Sequence, residues 1–441
     1  MDKEVVKRYF LDFHSRALPN LHEREVFLPG NSDRIQVVIG ARRSGKTYLL
    51  FNTMKRLIDS GVSKDSIVYI NFEHPLLDGI TFKDFSEIFV IYLSLFPEAE
   101  KKRLHVFFDE PQVVNKWETA VRGLHDEKKS SIYITGSSSR LLSKEIATAL
   151  RGRSSKTILL SLSLREYLDF TNSKTDIRRL STSAKAAALR ATDELLLYGG
   201  YPEVVLESNN SEKLKILKDY YDLTIYKDVI ERYSVRNPSL ARFCMKALVS
   251  STTSILNINK LHLSLKSQGV KVGKDTLYEY FSILEDCFFA GYLRRFDTSL
   301  RKEDSSMPKV YLNDTGFLSL FIQKDYGQLL ENAVYLELMR RCNKDPLLKI
   351  NYWRSREDKE VDFLVSSGGK VKQAIQACYS LGGVGTKERE LAALKQCFEF
   401  FKIKKGLIIT WDDEGAEDVE GIMVPVVPAW KWFLNKTNAA T

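Results

Sequence analysis

The stretch that decides the fold is Gly40–Thr47, GARRSGKT, which directly follows the apolar run Ile35–Ile39. It matches G-x-x-x-x-G-K-[ST], the loop whose backbone N–H groups surround the phosphates of a nucleotide. The apolar run before it predicts a buried strand, and TYLLFNTMKRLIDS after it predicts a helix. The sequence therefore predicts a phosphate-binding loop at the N-terminus of a helix, where the helix dipole favours negative charge.

Each part of this loop has a chemical role. Gly40 and Gly45 permit a tight wrap that a Cβ atom would obstruct. Lys46 can reach the β and γ oxygens of a nucleotide, and the Thr47 hydroxyl can coordinate Mg²⁺. The candidate nucleotide-binding residues are Gly40, Ala41, Arg42, Arg43, Ser44, Gly45, Lys46 and Thr47.

An acidic pair follows a later apolar run, in HVFFDEPQ. Asp109 and Glu110 end a predicted strand, at the edge where ligands of parallel sheets bind. Asp109 is a candidate Mg²⁺ ligand, and Glu110 a candidate to orient or deprotonate the attacking water. Because binding alone needs no base, the pair indicates hydrolysis, and we expect its strand to lie next to that of the loop.

Two further groups are candidates for the same chemistry. The next strand ends in Thr135–Ser139, where Ser137 is favoured to contact the γ-phosphate or the water; these hydroxyls are alternatively helix caps. Arg151 and Arg153 offer guanidinium groups that neutralise transition-state charge, within the chain or across a subunit boundary. Alternatively, Arg151 and Arg153 are ordinary surface arginines.

Composition bounds the class of protein. The chain has 441 residues, enough for two to four domains, with 44% hydrophobic and 28% charged residues, as in folded proteins. A net charge of +9 is compatible with an anionic partner such as nucleic acid, or with a generic basic surface. The five cysteines are widely spaced, and neither a signal peptide nor a membrane span is evident. We therefore expect a cytoplasmic protein without a membrane partner.

Hydrophobic patterning divides the chain into segments. Strands are predicted at 35–40, 66–73, 104–110, 131–137 and 156–163, and alternate with helical stretches, which indicates an α/β parallel sheet. The spacing then becomes helical, and the last part mixes helix with strands. The predicted segments are a helical arm (1–24), a P-loop domain (25–165), a helical connector (166–235), a helical block with a strand pair (236–310) and a second α/β domain (311–441).

The helical block contains a candidate nucleic-acid surface. LNINKLHLSLKSQGVKVGKDTLYEYFSILEDCFFAGYLRRF reads as helix, turn, helix and basic strand pair, an order similar to a winged helix-turn-helix. Such modules also serve as packing or protein contacts, and three acidic residues dilute the positive face. The candidate DNA contacts are Lys271, Lys274, Thr276 and Tyr278 on the second helix, with Arg294, Arg295, Arg301 and Lys302 on the wing.

A family resemblance covers nearly the whole chain. The order of GARRSGKT, FFDEPQ, ITGSSSRLL and RGR with LSLREYL resembles the AAA-like P-loop ATPases of archaea and bacteria that carry a C-terminal domain of unknown function. The resemblance continues through LYGGYPEVV, YYDLTIYKDVIERY, YLNDTGFLSLF, LLENAVYLELMRR and YWRSREDKEVDFLV. It implies ATP as the nucleotide, Arg153 as the best arginine finger, an AAA-type core, a winged helix and a C-terminal part similar to PD-(D/E)XK (restriction-endonuclease-like) nucleases.

The nuclease-like part departs from its pattern. Glu331 and Asp362 fit the first carboxylates of a PD-(D/E)XK site, which hold Mg²⁺. Where the pattern requires E-x-K, the chain has Gln376-Ala377-Cys378, and an amide and a thiol replace carboxylate and ammonium poorly. We therefore expect a degenerate site in a domain that binds DNA or a partner protein.

Three functions are consistent with these features. The leading hypothesis is an Mg²⁺-dependent ATPase that works as a switch or a DNA-associated motor. The rival is a DNA-binding regulator that requires ATP but turns it over slowly, and an ATP-dependent nuclease is the third. Self-association stays open.

Overall fold

The computed structural model describes residues 1–138, 152–173, 181–321, 325–383 and 385–435. The chain divides into two units, Met1–Leu159 and Leu160–Thr441, which are described separately below. Within the described ranges, no helix combines the length and the apolar character needed to cross a membrane.

The first unit is built on a five-stranded parallel sheet, which confirms the predicted α/β class. Its spatial order is β2-β3-β4-β1-β5. The fifth strand ends at residue 158 rather than 163, so its prediction was too long. The strands are β1 (Ile35–Ile39), β2 (Ile67–Asn71), β3 (Leu104–Asp109), β4 (Ser130–Gly136) and β5 (Ser154–Ile158).

The strand that carries the acids is not next to the strand of the loop. Strand β4 pairs with β1 on one side and with β3 on the other, so the expected adjacency of β1 and β3 was wrong. Chain order does not fix spatial order in a parallel sheet, because a crossover can pass over a neighbouring strand. As a result, the polar end of β4, Thr135–Ser137, lies between the loop and the acids.

Apolar side chains of this sheet pack against a layer of helices. Val38 and Phe107 project from β1 and β3 onto Leu50 of the helix that follows the loop, and all three are fully buried. Burial of such side chains stabilises a fold by about 1.5–3 kcal/mol each. The helices of this unit are α1 (Lys3–Ser15), α2 (Lys46–Asp59), α3 (Phe85–Leu95) and α4 (Trp117–Asp126).

The second unit begins with a helical series that contains a short antiparallel strand pair, β6 (Ala290–Leu293) with β7 (Lys309–Leu312). Residues Thr224–Glu231 form a π-helix that continues α8. The helices are α5 (Leu164–Phe170), α6 (Thr182–Tyr198), α7 (Pro202–Leu206), α8 (Asn210–Leu223), α9 (Pro238–Ser250), α10 (Ile258–Ser267), α11 (Lys274–Asp286), α12 (Leu300–Asp304) and α13 (Gly316–Ser319).

A six-stranded mixed sheet follows, in the order β12-β13-β11-β10-β9-β8. Its core is formed by buried side chains such as Leu364, Leu394 and Ile408, from two strands and a helix. The elements are α14 (Tyr326–Lys344), β8 (Leu348–Arg354), β9 (Glu360–Ser367), β10 (Lys370–Ala377), α15 (Thr386–Phe401), β11 (Gly406–Thr410), β12 (Gly415–Val419), β13 (Ile422–Pro428) and α16 (Ala429–Leu434).

Two of the sequence motifs meet at Asp314, which is fully buried. Its carboxylate accepts hydrogen bonds from the backbone N–H of Gly200 (2.8 Å) and of Gly316 (3.0 Å). Gly199 ends α6 with a φ of +75°, and a Cβ atom there would collide with the Asp314 side chain. Gly199 of LYGGYPEVV thus lets the chain pass the aspartate of YLNDTGFLSLF, whereas Gly200 allows close approach to the backbone of Leu162.

Candidate active site

The loop between β1 and α2 has the backbone of an anion-binding concavity. Arg43 (φ +68°) and Gly45 (φ +94°) are both left-handed, on either side of Ser44. Left-handed residues alternating with right-handed ones aim successive N–H groups at an anion. Gly40 serves another purpose, since a Cβ atom there would collide with the carbonyl oxygen of Leu159. The loop therefore depends on one glycine for conformation and on the other for close backbone approach.

Lys46 is held inside this loop by its own backbone. Its side chain is only 6% exposed, and its Nζ donates to the carbonyl oxygens of Gly40 (3.2 Å) and Ala41 (3.1 Å). Nζ also lies 3.4 Å from Oε1 of Glu110. The ammonium thus sits between the phosphate loop and the candidate base.

Asp109 is held by three hydroxyl groups. Thr47 donates its hydroxyl to Oδ2 at 2.7 Å, Tyr69 donates to the same oxygen at 2.9 Å, and Thr135 donates to Oδ1. Burial, and then the charge of Glu110, raise the pKa of Asp109. The two predicted metal-binding residues are therefore in direct contact.

Glu110 and Ser137 are also brought together. The backbone N–H and the hydroxyl of Ser137 both lie 3.0 Å from Oε2 of Glu110, and Gln112 donates to the same oxygen. Glu110 has a positive φ of 52°, a conformation that is costly for a residue with a side chain and is concentrated at functional sites. Ser137 thus orients the carboxylate predicted to act as base.

Sequence reasoning missed several of these side chains. Tyr69, Thr135 and Gln112 all bond to the acidic pair, yet none of them was named as a site residue, although each lies in a stretch that the sequence singled out. Arg24 was also missed, and it donates to the carbonyl oxygen of Ser44 at 2.8 Å. The signal for Tyr69 would have been a polar hydroxyl in the middle of a buried strand, β2, which pairs with the strand of the acids.

Arg42 and Arg153 lie in different surroundings. Arg42 of the loop forms an ion pair with Glu73 at 3.3 Å. Arg153 precedes β5 beside Ile35, and it pairs with Asp126 at 2.6 Å. Since the strand β1 separates Ile35 from the loop by about 13 Å, Arg153 cannot reach the phosphate site of its own chain. The placement of Arg153 thus favours a role across a subunit boundary over the in-chain role, both stay predictions, and Arg151 lies outside the described residues.

The arrangement suits magnesium better than a metal held only by protein. Among the described residues, no three His, Cys, Asp or Glu side chains are grouped to hold a metal ion. Mg²⁺ keeps several waters and is bound through one or two carboxylates plus substrate phosphates. Asp109 and Thr47 supply such a partial ligand set.

In the second unit, Lys309 occupies the centre of the nuclease-like carboxylates. Its Nζ lies 2.8 Å from Glu331, 2.8 Å from Glu360 and 3.2 Å from Asp362, and its side chain is 2% exposed. Burial alone would lower the pKa of Lys309, but the carboxylates, Glu331 foremost, raise it well above its usual value. An ammonium group of the chain itself therefore pairs with all three carboxylates of this cluster.

Gln376 does not point its amide at a metal. Its Oε1 accepts from the backbone N–H of Asp362 at 2.8 Å, and its Nε2 donates to the carbonyl oxygen of Glu360 at 3.0 Å. Both ends of the amide thus bond to the backbone of β9, and its assignment to the remnant of a ligand set stays a prediction.

The predicted DNA contacts divide into two groups. Lys271 and Lys274 are exposed at the start of α11, and Thr276 is half-buried. Arg294 donates to the carbonyl oxygen of Ser306 (2.8 Å), and Arg295, although exposed, donates to that of Arg354 (2.6 Å). The basic residues of the strand pair are thus partly committed to backbone contacts within the unit.

Three parts of the chain match known protein families. Residues 32–168 match a family model described as an AAA domain. Residues 189–340 and 326–431 match two domains of unknown function, DUF8612 and DUF4143. The first unit of the chain is thus an AAA domain with a P-loop.

A protein of Methanocaldococcus jannaschii described as uncharacterized, MJ1544, is 37% identical over 411 residues, which is 91% of this chain and 88% of that protein. The chain belongs to the MJ1544 family. A Haemophilus influenzae protein, also described as uncharacterized, is 26% identical to this MJ1544-family chain over 403 residues (91% and 94% of the two chains). Aeropyrum pernix ORC1 in complex with DNA is similar with a TM-score of 0.29 and 12% identity, over 78% of this chain and 92% of that one.

Proposed function

We propose that the AAA domain binds ATP with Mg²⁺ and hydrolyses it. The observation that carries this proposal is one connected network, in which Lys46 contacts Glu110, Glu110 accepts from Ser137, and Thr47 donates to Asp109. The loop with Thr47, the acidic pair and Ser137 follow three different strands, β1, β3 and β4, and meet at one edge of the sheet.

The residues divide the chemistry among themselves. The loop amides and Lys46 bind the β and γ phosphates, and Thr47 with Asp109 would hold Mg²⁺, which neutralises charge on the phosphate oxygens. Glu110 accepts the proton of the attacking water, and Ser137 keeps its carboxylate aimed. Arg153 is proposed to act only on the site of another copy of the chain.

The test is steady-state ATP hydrolysis by Glu110→Gln. We expect kcat to fall by about 10²-fold or more, within the range for removal of a general base, while calorimetry shows ATP still binding. Glu100→Gln, an exposed carboxylate of the same unit, is the matched control and should hydrolyse at the wild-type rate. Wild-type turnover by Glu110→Gln would remove Glu110 from the mechanism.

A DNA-binding regulator with slow turnover is the second candidate. It is favoured by the order α10, turn, α11 and strand pair, with Lys271 and Lys274 exposed at the start of α11. We propose that the segment 236–310 forms a winged helix. The proposed segments before it are an arm (1–24), an ATPase domain (25–165) and a connector (166–235).

For the segment 311–441 we propose a nuclease-like fold that does not cleave. Lys309 satisfies the carboxylates that would otherwise bind a metal, and Gln376 is tied to backbone. Cutting of DNA that requires Mg²⁺ or Mn²⁺ and is lost in Asp362→Ala would contradict this and support the ATP-dependent nuclease.

A further inference from the structure

A cleft in the second unit lies outside the ATPase site and the Lys309 cluster, and it includes two of the candidate wing residues, Arg295 and Lys302. It is formed by residues 295–306 after β6, residues 353–357 at the end of β8, and residues 396–400 near the end of α15, and we call it the β8–α15 cleft. Its volume is about 920 Å³, at the upper end of the range for ligand-binding sites.

Aromatic side chains form the floor of this cleft. Trp353 is buried, and its ring centroid lies 5.7 Å from that of Phe400. Phe401 packs against both Phe400 (4.8 Å) and Phe296 (4.9 Å). Phe400 nevertheless remains 64% exposed, so a rigidly supported aromatic side chain is available to a ligand.

Cationic side chains surround the aromatic floor. Lys302 and Arg356 are exposed, and neither has a carboxylate partner among the described residues. Arg295 is exposed at the same cleft, although one of its nitrogens donates to a backbone carbonyl. Three positive groups are thus placed around an aromatic surface, each able to contact an anion.

The carboxylates of the cleft are mostly engaged by the chain itself. Asp297 accepts from the backbone N–H of Ser299 at 2.8 Å, and Glu357 accepts from Gln396 at 2.5 Å. Glu399 is exposed beside Phe400 and opposes an anionic ligand. Removal of the negative charge of Glu399 should therefore strengthen the binding of an anionic ligand.

We infer that the β8–α15 cleft binds single-stranded nucleic acid. An exposed aromatic side chain flanked by basic ones is how proteins bind single strands without reading sequence, since bases stack on the ring while phosphates meet the cations. A duplex offers no free base to stack on Phe400, and an acidic peptide would make no use of it. This inference concerns a different unit from the ATPase site and does not depend on hydrolysis.

The test is fluorescence anisotropy of a labelled 20-nucleotide oligothymidylate with the full chain, without nucleotide. Phe400→Ala should weaken binding by about 5- to 150-fold, the range measured when one stacking aromatic is truncated. Phe400→Leu keeps the apolar volume but lacks a ring and should weaken binding similarly. Circular dichroism melts should show that both variants fold, because the side chain is exposed.

Charge variants give an independent readout. Lys302→Gln and Arg356→Gln should each reduce the slope of log K against log salt by about 0.7, the value for one phosphate contact to a single strand. Glu399→Gln should strengthen binding. Phe27→Ala in the first unit, where the side chain is 66% exposed, is the matched aromatic control and should bind like wild type.

Three outcomes would overturn the inference. They are no binding of the oligonucleotide by wild type, wild-type affinity in Phe400→Ala, and tighter binding of a duplex than of the single strand. A loss of binding in Tyr278→Ala together with unchanged Phe400→Ala would move the contact to α11.

Discussion

At the scale of single residues, the surroundings of Asp109 matter as much as its position. Three hydroxyl groups donate to its carboxylate, and each of them lowers a pKa that burial and Glu110 raise. Mg²⁺ requires the ionised form, so these hydroxyls keep the site usable in the presence of an adjacent second acid. The pattern of acids alone does not reveal this support, because Tyr69 lies 40 residues earlier.

Tyr69→Phe tests that support. Removing the hydroxyl should raise the pKa of Asp109 further, so the acidic limb of the pH profile of Mg²⁺-dependent hydrolysis should move to higher pH. At the alkaline plateau we expect kcat close to wild type, with a few-fold more Mg²⁺ needed for half-maximal rate. The profile is measured as steady-state hydrolysis against pH at several Mg²⁺ concentrations.

The control for this variant is Tyr133→Phe. Tyr133 is equally buried in the same sheet, but its hydroxyl donates to the carbonyl oxygen of Pro29 at 2.8 Å. It should leave the acidic limb in place. A shift of equal size in both variants would mean that tyrosine hydroxyls act through general destabilisation.

At the scale of elements, the sequence predicts the strands that carry chemistry best. Strands β1 to β4 of the first unit are largely apolar runs between polar loops, and each lies close to its predicted range, whereas β5 (SSKTI) is largely polar and overlaps its prediction only at 156–158. The order of those strands was not predictable in the same way, because it depends on which crossovers pass over β4. Strands β12 and β13 were missed, since GAEDV is polar and MVPVVP carries prolines.

Lys309 shows the same limit for the second candidate site. The pattern search expected an ammonium group close to Gln376 along the chain, whereas the structure supplies it from β7. Proximity in space between elements far apart in sequence leaves no local signal. The carboxylates Glu331 and Asp362, in contrast, were found because their own motifs carry them.

Gly199 provides a prediction at this scale. Gly199→Ala should destabilise the second unit by about 3 kcal/mol or more, because it adds a collision with Asp314 to the cost of a positive φ. Gly269→Ala isolates the conformational cost, since Gly269 also has a positive φ (+78°) but open space around it, and should lose about 1 kcal/mol. Chemical denaturation measures both. Equal losses would show that Asp314 moves away at little cost.

At the scale of the whole molecule, the effect of DNA on the rate of ATP hydrolysis separates the two leading proposed functions. A switch or motor that acts on DNA should hydrolyse ATP faster when DNA is present, whereas a regulator that only requires ATP should not. We expect single-stranded DNA to raise kcat several-fold, measured by steady-state hydrolysis with and without single-stranded and duplex DNA. An unchanged rate at saturating DNA would favour the slow regulator.

Lys309→Met tests the internal ion cluster. Removing the ammonium leaves buried carboxylates without a counter-charge, and loss of one partner of a buried ion pair costs about 3–5 kcal/mol. Burial, and then Asp362, already raise the pKa of Glu331 to about 8, so its ionisation penalises the folded state as pH rises towards 8. The loss should therefore be large at pH 8 and smaller at pH 5.5, where the carboxyl is protonated.

Thermal unfolding of the variant at the two pH values measures this difference. Lys370→Met, on the exposed start of β10, is the control and should melt like wild type at both. A loss that is independent of pH would assign the effect of Lys309 to packing.

The built-in cation has a consequence for how the chain responds to its ionic environment. By our proposal the first unit recruits dissolved magnesium to its carboxylates, whereas the second carries a built-in cation in Lys309. A chelator such as EDTA should thus silence one half of the molecule and leave the other folded and able to hold its ligand.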